Sequence, residues 1–135
     1  MSTEVIVYVL TALAAVVVLL TRLRLGRRGG GAGRLQMGRG LVNVHTGAGV
    51  LALGLWVAFL VTGNETVGIA ALACWWIVVL AGLLILVRWL PSHGKHASGG
   101  QEDSWSEGPG LSVLAHVGML VGVGVFTWAY LTAAV

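Results

Sequence analysis

The chain has 135 residues, 57% of them hydrophobic and only 10% charged, and its mean hydropathy is +0.91; a soluble domain carries about 25% charged residues, so a water-wetted globule is excluded. Eight Lys and Arg against five Asp and Glu give a net charge of +3, but these basic residues flank apolar runs, which points to a lipid surface and away from nucleic acid. The one cysteine, Cys74, lies inside an apolar run and excludes an intrachain disulfide.

Four apolar runs follow one another, each long enough for a helix to cross about 30 Å of hydrocarbon at 1.5 Å per residue. The first predicted helix covers 4–22. Only Glu4 precedes its apolar core, while Arg22, Arg24, Arg27 and Arg28 follow it. A signal peptide has the reverse order, so this helix is expected to be retained. A Gly-rich loop over 23–40 comes next; without a Lys-Ser/Thr ending it is not a phosphate loop. The second helix, 41–62, opens with Asn43-Val44-His45-Thr46-Gly47-Ala48-Gly49. A short turn at Gly63-Asn64-Glu65 leads to the third helix, 66–89, whose Trp75 and Trp76 read as core filling or interfacial anchors. The loop over 90–110 holds His93, Lys95 and His96 among Gly and Ser and is expected to be solvated. The fourth helix, 111–134, carries Ser112-Val113-Leu114-Ala115-His116-Val117-Gly118.

The fold class expected is all-α: an integral membrane four-helix up-down bundle, with 1–135 a single transmembrane domain. All eight basic residues fall in or beside the two long loops. The positive-inside rule makes those loops cytoplasmic and puts the N-terminus and C-terminus outside. A multi-pass protein of a bacterial plasma membrane is the expected setting.

Ionisable side chains within apolar runs are costly and mark functional sites. Two occur here, His45 and His116, each roughly 6–8 Å below the cytoplasmic boundary by helical rise. Two imidazoles at one depth on two helices of a bundle suit axial ligation of a b-type haem. Close backbone approach to a flat macrocycle needs small residues, supplied by Gly49 on the second helix and by Gly118 and Gly122 on the fourth. Arg39 and Arg88, with Arg34, are placed to pair with propionates. Trp56, Phe59 and Trp128 are candidates to wall the deeper side. The same features also have a plainer reading, in which the histidines sit at the interface and the glycines serve helix packing.

With His45 in its Gly/Ala-rich turn and His116 in a four-helix layout, the chain resembles small bis-histidine b-type membrane cytochromes and the haem-bearing membrane anchor subunits of quinone-linked oxidoreductases. The resemblance implies haem b as cofactor and transfer of electrons to or from a quinone or a partner redox protein. It also implies other membrane subunits as neighbours. Relatives with two haems would carry a second histidine pair near the opposite face. No histidine lies there in this chain. The alternative is a cofactor-free accessory or assembly subunit of a larger membrane complex. A transporter lacks its intramembrane carboxylate, and hydrolytic catalysis finds no Ser-His-acid arrangement.

Overall fold

The computed structural model describes residues 2–27, 39–89 and 109–135, and in them each apolar run is an α-helix. These are α1 (Thr3–Arg27), α2 (Arg39–Thr62), α3 (Glu65–Trp89) and α4 (Pro109–Leu131). All four are long and apolar enough to cross a membrane; the qualifying spans run Thr3–Leu20, Asn43–Thr62, Glu65–Leu84 and Val113–Leu131. Large apolar side chains on every helix stay uncovered, among them Leu19, Val61, Ile77 and Leu114. Such surface costs free energy in water and none against lipid.

The bounds move a few residues from those expected, for local reasons. α1 continues through its basic residues to Arg27, because Arg is a good helix former. α4 starts at Pro109, where a missing N–H costs nothing and φ is already helical. It stops at Leu131 and not at 134. There Ala134 N–H donates to Ala129 O at 2.9 Å and Ala133 N–H to Tyr130 O at 3.1 Å, with Ala133 at φ 50°. That is a Schellman closure, with alanine in the left-handed position glycine usually takes.

The link between α2 and α3 is two residues long, so the two helices must be antiparallel. Gly63 takes φ +65° and donates its N–H to Phe59 O at 2.8 Å, a conformation that favours glycine. Asn64 Oδ1 then accepts from Thr66 N–H at 3.0 Å and Val67 N–H at 3.3 Å, capping the first turn of α3.

Contacts at several levels give the register. Phe59 faces Gly68 and His45 faces Gly82 between α2 and α3. Trp56 bonds Thr11 and Val18 faces Gly49 between α1 and α2. Tyr130 reaches Glu65, and His116 faces Gly82, between α3 and α4. Each pair runs antiparallel, while the diagonal pair α2 and α4 runs parallel through His45–His116 and Trp56–Phe126. Each helix packs on its two neighbours, α1 on α2 and α4, and α3 on α2 and α4. The result is the up-down four-helix bundle.

The interior is aromatic at its middle. Trp56 and Phe126 stack at 4.6 Å, Phe59 tilts on Trp56 at 5.2 Å, and Trp75 meets Phe126 at 6.2 Å. Two threonines tie helix to helix in the same way. Thr11 Oγ1 donates to Val7 O and accepts from the Trp56 indole at 3.1 Å; Thr127 Oγ1 donates to Val123 O and accepts from Trp76 at 3.0 Å. Each hydroxyl satisfies an indole that would otherwise be stranded in apolar surroundings. Trp75, fully buried, has no such partner for its Nε1.

Candidate functional site: a pair of imidazoles

His45 enters from the first third of α2 and His116 from the first third of α4, and the parallel run of these diagonal helices puts both at one level. Their rings lie 6.0 Å apart between centroids and 14° from parallel. Simple packing of rings spans about 4.5–7 Å between centroids, so the spacing alone does not require a ligand. A shared metal would need an in-plane nitrogen of each ring at about 2 Å, which also puts the centroids about 6 Å apart. His45 Nδ1 is buried and has no hydrogen-bond partner. An unsatisfied buried polar atom costs about 1–3 kcal/mol, and a bound group at the ring would offset that cost.

The third wall is α3, and it comes closest at Gly82. A Cβ built on Gly82 would stand 2.7 Å from His116 Cδ2, 2.8 Å from His116 Nε2 and 2.8 Å from His45 Cε1. All three distances are shorter than side-chain carbons tolerate, so the two imidazoles close on a spot that any other residue would fill. Gly68, almost four helical turns away along α3, plays a related part in packing: its Cβ would meet Tyr130 at 2.7 Å and Phe59 at 2.8 Å. There the neighbours are aromatic edges; at Gly82 they are two potential ligand groups.

The remaining expected residues divide. Gly49 is buried one turn beyond His45, but its Cβ direction meets Val18 and Val78 at 3.9 Å, an ordinary contact with α1 and α3. Gly118 is exposed with open space around it; two residues past His116 turn it about 200° away from the imidazole. Gly122 is buried, also with nothing within 4 Å of its Cβ position, and it lies off the His116 face by about 120°. Trp56 and Phe59 line the interior beyond the pair, whereas Trp128 is 54% exposed and walls nothing. The side chains of Arg39 and Arg88 fall outside the described residues, as do Arg34, His93 and His96. Gly82 had no part in the expected site.

As chemistry, the pair offers two imidazole donors and no more. Among the described residues no group of three or more His, Cys, Asp or Glu converges to hold a metal ion. A metal held by two imidazoles alone needs its other ligands from elsewhere, and a porphyrin supplies four nitrogens. Space is the stricter criterion. The Gly82 main chain stands directly beside both rings, so a macrocycle centred between them finds its width on the other sides or with α3 set back. Comparison with known protein families, with curated proteins and with solved structures finds no match for this chain.

Proposed function

We propose that the protein is a membrane-embedded electron-transfer subunit that holds one b-type haem between α2 and α4, with His45 and His116 as axial ligands. The single observation that carries this reading is the meeting of the two imidazoles found among the described residues, 6.0 Å apart and nearly parallel, in one layer of the bundle. Haem would supply a one-electron couple. His45 and His116 would each offer one imidazole nitrogen to the iron, the Trp56, Phe59 and Phe126 core would exclude water, and Arg39 and Arg88, at the loop ends of α2 and α3 in the sequence, would be the residues to pair with propionates. The basic loops lie on the cytoplasmic side of a bacterial plasma membrane and both termini outside. Because the opposite half holds no second histidine pair, electrons would leave by a quinone or by another membrane subunit.

The test is a pyridine-haemochrome assay on protein purified gently from haem-replete cells. The expected result is one haem b per chain in the wild type and loss of the low-spin signal in both His45→Ala and His116→Ala. Unchanged spectra in either variant would remove that histidine from the axial pair.

A second reading, a cofactor-free accessory subunit of a larger membrane complex, is favoured by the closeness of Gly82 to both rings. There the imidazole layer is a packing layer. Its mark is that His45→Leu/His116→Leu leaves assembly and activity of the complex intact.

A further inference from the structure

We propose that Gly82 is a positioning residue of the imidazole pair: its missing side chain sets where His45 and His116 can stand and so whether both can share one ligand. The proposal rests on the paired-histidine reading and names the α3 residue that completes it. The geometry is specific. One virtual carbon at residue 82 would collide with His116 at two atoms and with His45 at a third, at 2.7–2.8 Å. A side chain there therefore acts on both rings at once, pushing each from the common spot. The three nearest atoms to its Cβ position all belong to the two imidazoles, and glycine weakens a helix interior relative to alanine.

Gly82 also decides on which side a ligand can have bulk. Between the rings, the α3 side is closed by main chain. A ligand coordinated by both nitrogens must extend toward the other sides of the bundle or draw α3 outward. Either way, a residue larger than glycine at 82 takes room from the ligand as well as turning the imidazoles.

The experiment titrates haemin into purified wild type and Gly82→Ala in detergent micelles, with helix content followed by circular dichroism. Wild type is expected to give a low-spin spectrum with two nitrogen axial ligands. Gly82→Ala, with unchanged helix content, is expected to bind at least about tenfold more weakly, the scale of a lost positioning contact at a metal site, and to show a high-spin, one-imidazole spectrum. A low-spin spectrum of wild-type affinity in Gly82→Ala overturns the proposal while leaving the haem reading standing.

If wild type takes up no haemin, the haem reading falls and the role of Gly82 is decided by unfolding. The effect of Gly82→Ala on the unfolding midpoint is compared in the native chain and in His45→Ala/His116→Ala. A more favourable effect in the background without the imidazoles supports positioning. Equal effects in both backgrounds overturn it, because residue 82 would then not act through the rings.

Discussion

His45 and His116 illustrate what a single residue can announce about itself. An imidazole inside an apolar run stands out in any reading of the chain, because lipid-level ionisable groups are rare for energetic reasons. Gly82 does not stand out. Glycine is common in membrane helices, and nothing in Leu80-Ala81-Gly82-Leu83 marks it; its role exists only once three helices bring their faces together. The indoles divide in a similar way. Trp56 and Trp75 are both fully buried, yet only Trp56 has a hydroxyl to donate to, Thr11, forty-five residues away. Replacing each by Phe removes a similar volume but only one made hydrogen bond. Trp56→Phe is therefore expected to destabilise the bundle by about 1 kcal/mol more than Trp75→Phe, measured as reversible unfolding in micelles. Equal losses would show that the Thr11 bond contributes nothing.

The number and kind of elements were legible because a helix able to cross a membrane has a length requirement that composition displays directly. Their ends were less so, since those depend on caps and closures that hydropathy does not register. The Ala133 closure of α4 is the clearest instance: no glycine or proline signals it, and the apolar run continues to the last residue. The turn between α2 and α3 was the better-marked end, with Gly63 and Asn64 each carrying a distinct task. Gly63→Ala forces an L side chain to φ +65° and is expected to cost about 1–2 kcal/mol. Asn64→Ala removes the acceptor for two α3 amides and is expected to cost about 1 kcal/mol. Thermal unfolding of both variants in micelles checks these values; a stabilised Gly63→Ala would mean that the turn relaxes to another form.

For the molecule as a whole, the bundle's order follows from a short turn between α2 and α3, antiparallel neighbours and a parallel diagonal. That diagonal is what joins His45 to His116, so the site is a consequence of topology as much as of residue type. The glycines expected at the site show the limit of reading faces from spacing alone. Gly118 lies on an exposed surface and Gly49 packs on Val18 and Val78, because the side of a helix that meets its partner is settled by all neighbours together. Orientation in the membrane has its own check. With the basic loops cytoplasmic, alkaline phosphatase fused after Val135 is expected to be active and fused within 90–108 inactive; the opposite pattern would invert the bundle and place the imidazole layer near the outer face. The central claim, a shared ligand between His45 and His116, is tested most directly by electron paramagnetic resonance of the purified ferric wild-type protein. The expected result is a low-spin haem signal with two imidazole axial ligands. A colourless protein from haem-replete cells, with no ferric signal, would contradict it.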